Sequence, residues 1–165
     1  EQHLRALPVP VPVLAARMIS KNLLIFAHNA LVIGGLMLFL GIAPTLALIA
    51  VVPGLLIITL FGFFLAIVLG PFCLRFRDVT QVIASAMGIA FFLTPVLWMR
   101  EQGRVPAAVV DWNPLYHLLE LVRAPLMGSF PTAANWMAGL GLVAAAGLLA
   151  VITLSMTRKR IYLWL

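Results

Sequence analysis

The longest uncharged stretch of the chain constrains its fold more than any other feature. From Asn22 to Leu74 there is no Lys, Arg, Asp or Glu. A helix needs about 20 apolar residues to cross a bilayer core once, so this stretch is long enough to cross twice. The composition agrees, because 64% of the residues are hydrophobic, 10% are charged and the mean hydropathy is +1.13. These values exclude an ordinary soluble domain.

Two further uncharged stretches are long enough for one span each, Val79 to Met99 and the later part of Ala124 to Thr157. In lipid, a spanning segment must satisfy its own backbone polar groups, and the alternating pattern of barrel strands is absent. The sequence therefore predicts an all-α, polytopic membrane helix bundle. We expect four transmembrane helices, near residues 24–44, 53–74, 79–99 and 134–157, with a short re-entrant or interfacial helix on the outer side.

The distribution of Lys and Arg predicts the orientation. If the chain begins on the cytoplasmic side, eight of the eleven Lys and Arg residues lie inside, and Arg100, Arg104 and Arg123 lie outside. The positive-inside rule then favours both termini in the cytoplasm. Because the cations flank spans instead of covering one face, nucleic acid is not an expected partner. With one cysteine, Cys73, and no His/Cys cluster of metal spacing, we expect no metal, cofactor or catalytic residue.

A charged turn separates the second and third predicted spans. Arg75 and Arg77 follow one helix and Asp78 begins the next, which suits both helix dipoles. Asp78 and Gln81 also have the spacing of a capping box. Anchoring and capping is the simpler interpretation of this cytoplasmic turn, and a role in coupling to a partner is the alternative.

Polar residues accompany the start of the first predicted span. Lys21 and His28 lie seven residues apart on one helical stripe, and Asn22 and Asn29 lie on the adjacent stripe. Hydrogen bonding to neighbouring helices is the simpler interpretation, and a conduit or gate role for His28 and Asn29 is the alternative. The preceding prolines predict an extended approach that ends at Pro12, followed along residues 13–20 by a linker or a short amphipathic helix.

Residues 113–125 are predicted to form a short helix on the outer side. Asn113 is a plausible N-cap, Pro114 suits the first helical position, and Pro125 is expected to end the helix. At 1.5 Å per residue the helix is only about half a membrane long and cannot span, so it lies at the interface or dips in and returns.

The two faces of this short helix differ in polarity. The predicted apolar face consists of Leu115, Leu118, Leu119 and Val122, and the polar side consists of Tyr116, Glu120 and Arg123 with His117 beside them. An ion pair between Glu120 and Arg123 on a packing helix is one interpretation. A polar lining at an exit mouth is the other.

Aromatic and small residues suggest contacts in the third and fourth predicted spans. Phe91 and Phe92 precede Thr94 and Pro95, where we expect the helix to kink, and an aromatic ring there could face a conduit. In the last span, two pairs of small residues predict close helix packing. They are Gly141 with Ala145 and Ala146 with Ala150.

Several of these stretches together resemble the polysaccharide exporter branch of the type-2 ABC transporter permeases. They are NLLIFAHNALVI at residues 22–33, RDVTQVIASAMGIAFFLTPVLW at 77–98, NPLYHLLELVRAPLMG at 113–128 and RKRIYLWL at 158–165. Their order and spacing cover nearly the whole chain.

The resemblance implies a function that composition alone does not. It implies a homodimeric permease in the bacterial cytoplasmic membrane that pairs with two cytoplasmic ABC ATPase subunits and moves a lipid-linked glycan outward. Residues 1–21 would form the ATPase-contacting segment and residues 22–165 the transmembrane domain. Family members have an amphipathic helix and two more spans ahead of the matching region, so we expect the chain to be truncated at its N-terminus.

The resemblance also assigns residues to roles. ATPase contact is expected at Leu14, Arg17 and Met18, and the outer re-entrant helices are expected at residues 113–125. Phe91, Phe92 and Trp98 fall where relatives place aromatic residues near the conduit.

Other classes of membrane protein compete with this interpretation. A drug or small-lipid exporter of the same superfamily would share the topology, and a channel or structural membrane subunit would share the composition. An intramembrane enzyme needs paired acids, a Ser/His arrangement or a metal set, and the spans offer His28 without such partners.

Overall fold

The computed structural model describes residues 10–41, 43–96 and 106–157, and every regular element in those ranges is helical. Six α-helices occur in this part of the chain, and a 3₁₀ segment, Leu46–Ala50, leads into the second. The helices are α1 (Val11–Phe39), α2 (Val51–Arg75), α3 (Arg77–Leu93), α4 (Ala107–Asp111), α5 (Pro114–Leu126) and α6 (Ala133–Thr157).

Three of these elements are long and apolar enough to cross a membrane. They cover Val11–Phe39, Leu46–Arg75 and Ala133–Met156. The predicted all-helical membrane architecture is therefore confirmed. The third expected span falls on α3, which has 17 residues and a length of about 26 Å, short of a typical hydrocarbon core. Residues 97–99 of that span lie outside the described ranges, so the third expected span, and with it the total of four, stays a prediction.

Helix α1 begins earlier than the first expected span. Pro12 lies in its first turn, as predicted, where a missing N–H costs no hydrogen bond. Residues 13–20 are helical and continue without a break into the apolar part of α1. The helical alternative for residues 13–20 is therefore confirmed and the linker was wrong, although this helix is continuous with α1 and not separate from it.

Proline residues bound the helices differently from the sequence expectation. Pro53 lies in the first turn of α2, which follows the 3₁₀ segment, and its missing N–H costs no helical hydrogen bond there. Thr94 has ψ 134°, the extended conformation that a following proline favours, and α3 ends at Leu93. The kink expected at Pro95 is thus a helix end.

The turn between α2 and α3 does not contain the expected capping box. Phe76 is the N-cap of α3, with φ −125° and ψ 103°, and no side chain caps the helix. Asp78 is therefore the second residue of α3, where its charge still suits the helix dipole. The Arg75 guanidinium carbon lies 5.1 Å from the centroid of the Phe76 ring, within the range of a cation–π interaction.

Helix α6 packs along α2 in the same direction. Gly147 lies against Phe64, and Ala150 clusters with Ile67. Ala146 and Ala150 are 5% and 2% exposed, so the packing predicted for this pair is confirmed. Gly141 and Ala145 are exposed, so the prediction for that pair was wrong. Both pairs have the same spacing, and only the tertiary contact shows which one faces α2.

Helix α5 packs against both α2 and α6, with Leu121 at the contact. The Leu121 side chain is 0% exposed. A Cβ at Gly54 of α2 would lie 2.6 Å from the Leu121 carbonyl oxygen, and one at Gly139 of α6 would lie 2.9 Å from Leu121 Cδ1. In a regular helix the N–H of residue 125 would donate to the Leu121 carbonyl, but Pro125 has no N–H. Both glycines therefore let α5 approach more closely than any other residue would.

Replacing Gly139 by Ala is expected to destabilise the bundle by about 1 to 3 kcal/mol, because the new methyl group overpacks Leu121 and Ile57. Thermal unfolding of the purified protein in detergent measures the effect. Gly141→Ala is the matched control in the same helix, since a Cβ there meets nothing within 4 Å. Equal melting temperatures for the two variants would contradict the close contact.

Candidate functional site

The start of α5 is fixed by Asn113, as the sequence predicts. Its side-chain oxygen accepts a hydrogen bond from the Leu115 N–H at 3.0 Å, and Pro114 occupies the first turn. The Asn113 Nδ2 also donates to the Thr94 hydroxyl at 2.9 Å. One side chain therefore caps α5 and ties it to the residue that follows α3.

The end of α5 is set by Gly128 and not by Pro125. Pro125 lies inside the helix, which ends at Leu126. Gly128 has φ +85°, and the N–H groups of Gly128 and Ser129 donate to the carbonyls of Pro125 and Ala124 at 3.1 and 2.9 Å. This pattern is a Schellman motif, which needs a residue that tolerates positive φ after the helix.

The buried face of α5 is rotated from the predicted one. Leu118 is buried, as predicted. The other buried residues of α5 are Leu121, Ala124 and Pro125. Leu115, Leu119 and Val122 are only half-buried. The prediction was wrong because α5 has neighbours on several sides, whereas an amphipathic pattern assumes one buried face and one solvated face.

The polar side of α5 faces the chain after α3. Glu120 Oε1 and Arg123 Nη1 lie 3.6 Å apart, so the ion pair expected from their spacing is present. Arg123 Nη1 also donates to the Pro95 carbonyl at 2.6 Å. With Asn113, Arg123 gives α5 a second attachment to residues 94–95. Both charged side chains are about one-fifth exposed, so water still reaches them.

His117 connects α5 to two other elements. Its Nε2 donates to the Asp111 carbonyl at the end of α4 at 2.8 Å. Its Nδ1 lies 2.8 Å from Oδ1 of Asn135 in α6. The Tyr116 and His117 ring centroids are 5.4 Å apart. His117 therefore fixes the α4–α5 pair against α6.

A mainly apolar cavity of about 320 Å³ lies beyond the C-terminal ends of α1 and α5. Its lining comes from residues near the ends of three elements: Met37, Ala43, Thr45, Leu48, Pro125, Leu126, Met127 and Gly128. Among these side chains only Thr45 offers a hydroxyl, so the cavity suits an apolar group better than a polar one.

The other residues singled out from the sequence lie elsewhere in the bundle. Leu14 is half-buried, and the remaining described ones are exposed on α1, on α3 and at the α2–α3 turn: Arg17, Met18, His28, Asn29, Phe91, Phe92, Arg75, Arg77 and Asp78. The Phe91 and Phe92 rings make an edge contact with centroids 5.6 Å apart. Trp98 lies outside the described residues. Because α1 and α3 pack mainly against α2, the structure does not join these residues into one site with α5.

Two polar residues of the α5 site were missed. Thr94 and Asn135 are buried, at 4% and 5% exposure, and each bonds a side chain of the α5 region. Asn135 lies just inside an otherwise apolar span, and that position alone could have marked it as a partner-seeking residue. From the sequence, Thr94 is expected only as part of a kink.

Replacing Thr94 by Val is expected to destabilise the protein by about 1 kcal/mol, because the Asn113 amide loses its acceptor. Hydrogen exchange of the Thr94 amide, which bonds the Ala90 carbonyl, should also become faster. Thr94→Ser keeps the hydroxyl and serves as the control. A Val variant that is as stable as the Ser variant would show that the bond contributes nothing.

Comparison with protein families identifies the class. Residues 2–127 match the ABC-2 type transporter family. The match covers well over half of the chain, so the protein belongs to this family. Comparisons with curated proteins and with solved structures find no match.

Membership of the ABC-2 family defines the class of protein to which the α5 site belongs. It is the membrane-spanning subunit of an ABC transporter, a transport permease and not a catalytic chain. The matched range includes α1 to α5 and ends before α6. The residues that tie α5 to α3 therefore lie within the part of the chain that the family defines.

Proposed function

We propose that this chain is the permease of an ABC exporter that moves lipid-linked polysaccharide across the bacterial cytoplasmic membrane, using ATP hydrolysed by a partner subunit. The observation that best supports this proposal is the half-buried polar side of α5 in a chain of the ABC-2 family. Sugars present many hydroxyl groups, and the Tyr116, Glu120 and Arg123 side chains offer donors and acceptors to them. The exposed apolar faces of α1 and α3 suit lipid and a second permease copy.

The proposed ATPase contact lies at the N-terminal end of α1. Arg17 and Met18 are exposed there, and the Arg75–Asp78 turn lies at the same end of the bundle, because α1 and α2 run antiparallel. An exposed methionine beside a cation suits a protein interface. Leu14, the third residue of the proposed contact, is half-buried.

Met18→Gln is expected to weaken co-purification of a co-expressed ABC ATPase several-fold, because a polar amide replaces an apolar contact. Met127→Gln is the matched control, since Met127 is also exposed but lies at the opposite end of the bundle. If the Met18→Gln variant recovered the ATPase fully and the Met127→Gln variant did not, the ATPase contact would lie at the Met127 end of the bundle and the proposal would be contradicted.

The α4–α5 pair is proposed to be re-entrant and to line the outer mouth. Leu121 meets α2 at Gly54 and α6 at Gly139, which lie about 5 Å and about 9 Å from the N-terminal ends of these two helices. A charged side chain at mid-membrane costs about 2.5 to 3.5 kcal/mol on insertion scales. The ion pair lowers this cost for Glu120 and Arg123, and a water-lined exit lowers it further.

Glu120→Gln is expected to lower export of surface glycan about 3- to 10-fold in cells that depend on this permease, with membrane abundance unchanged. The substitution keeps the side-chain shape and leaves Arg123 free to bond Pro95. Asp111→Asn, an equivalent change on α4, is the control. Normal export with Glu120→Gln would mean that this carboxylate only packs α5.

Both termini of the chain are proposed to be cytoplasmic, so the α2–α3 turn lies inside and the start of α6 lies outside. Phe76 and Phe130 are both exposed and lie at opposite ends of the bundle. In a Cys73→Ser background, an impermeant thiol reagent applied to intact cells should label Phe130→Cys but not Phe76→Cys. The opposite labelling pattern would reverse the orientation.

A further inference from the structure

Helix α3 is only weakly restrained along its length. None of its residues is buried. Three of them are half-buried and lie within about 40° of one another on one face: Val79, Ile83 and Ala90. All the other residues of α3 are exposed. The helix therefore touches the bundle along a narrow strip, and what fixes its position lies mainly at its two ends.

One end of α3 is joined to α2 by a single residue. Phe76 lies between Arg75, the last residue of α2, and Arg77, the first residue of α3. Its backbone is extended, with φ −125° and ψ 103°. Hinge motions are absorbed by a few residues of this kind at the ends of helices. The α2–α3 turn therefore has the form of a one-residue hinge.

The other end of α3 is held by side chains of α5. Thr94 is 4% exposed and Pro95 is fully buried, in contrast to the helix that precedes them. The Thr94 hydroxyl accepts a hydrogen bond from Asn113 Nδ2 at 2.9 Å, and the Pro95 carbonyl accepts one from Arg123 Nη1 at 2.6 Å. We call these two bonds the α5 latch.

The α5 latch attaches α3 to the most closely packed part of the bundle. Leu121 of α5 is 0% exposed, and it meets α2 at Gly54 and α6 at Gly139. Moving α5 would break these close contacts, whereas moving α3 breaks the two latch bonds and uncovers residues 94–95. Segments with few buried contacts open at the lowest free energy. Of the two helices, α3 is therefore the one that moves more readily.

Arg123 has a second partner to bond when it leaves Pro95. The same Nη1 lies 3.6 Å from Glu120 Oε1, and both side chains are about one-fifth exposed. Water can therefore replace the Pro95 carbonyl, and the ion pair still compensates the charge of Arg123. Two arrangements of similar free energy are what a two-state element requires.

We propose that α3 is a movable helix, hinged at Phe76 and held in its present position by the α5 latch. Release of the latch lets the far end of α3 move away from α2, α5 and α6. The inference rests on the proposed function for the consequence that this movement widens the passage beside the polar side of α5. A glycan hydroxyl that bonds Arg123 competes with the Pro95 carbonyl, so cargo at the outer mouth favours release.

Distances between spin labels test the movement in the purified protein in nanodiscs, without ATPase or glycan. In a Cys73→Ser background, labels at Ile89→Cys on α3 and Leu148→Cys on α6 report the position of α3, since both residues are exposed. Arg123→Gln removes the charge-assisted bond and is expected to raise the ratio of displaced to latched α3 about 10- to 100-fold. Adding Thr94→Val removes the second bond and should raise this ratio further.

Two controls separate release of α3 from general damage. Glu120→Gln removes the ion pair but leaves the bond to Pro95, so the distance between the Ile89 and Leu148 labels should stay native. Labels at Val52→Cys and Leu148→Cys, both exposed, join α2 to α6 and should keep their distance in every variant.

Three results would overturn the proposal. The first is an unchanged distance between α3 and α6 in the Arg123/Thr94 double variant. The second is a change in both label pairs, which would mean that the α5 latch stabilises the whole bundle. The third is a displacement with Glu120→Gln as large as with Arg123→Gln. None of these results bears on whether the subunit exports glycan.

Discussion

The contact of Leu121 with two glycines determines where the other elements of this bundle lie. Gly54 meets the Leu121 carbonyl and Gly139 meets the Leu121 side chain, so the α5 backbone lies directly against α2 while its Leu121 side chain packs onto α6. Pro125 contributes by leaving that carbonyl without a helical donor. Once α5 is held there, Asn113 and Arg123 hold the chain after α3, and His117 joins α4 to α6. The polar groups of the candidate site are thus positioned by apolar packing on the opposite side of one short helix.

The two sides of the bundle differ in how far they are closed. Helices α2, α5 and α6 bury one another, whereas α1 buries only Ala15 and α3 buries no residue. An apolar helix exposed in water would be unstable, but in a bilayer the same surface has lipid or another subunit as its neighbour.

Local chemistry was predictable from the sequence and tertiary placement was not. The helical class, Pro12 in a first turn, Asn113 as a cap and the Glu120–Arg123 pair all depend on neighbours within four residues. The bonds of His117 to Asn135 and of Asn113 to Thr94 join residues 18 and 19 positions apart, which local pattern does not predict. The two small-residue pairs of α6 show what the sequence could not predict. Gly141 with Ala145 and Ala146 with Ala150 have the same spacing, and only the face that α6 turns toward α2 determines which pair is buried. The sequence marked α5 as a candidate site, but it could not show that Arg123 bonds Pro95.

The position of α5 against α6 is the central claim, and a cross-link tests it most directly. In a Cys73→Ser background, cysteines replace His117 and Asn135, whose side chains are in contact. A short bifunctional thiol reagent should join α5 to α6 in membranes. The comparison pair combines His117→Cys with Ala145→Cys, about 15 Å further along α6, and should remain unlinked. Absence of the first cross-link in a stably inserted protein, or equal yields for both pairs, would contradict the packing described for α5.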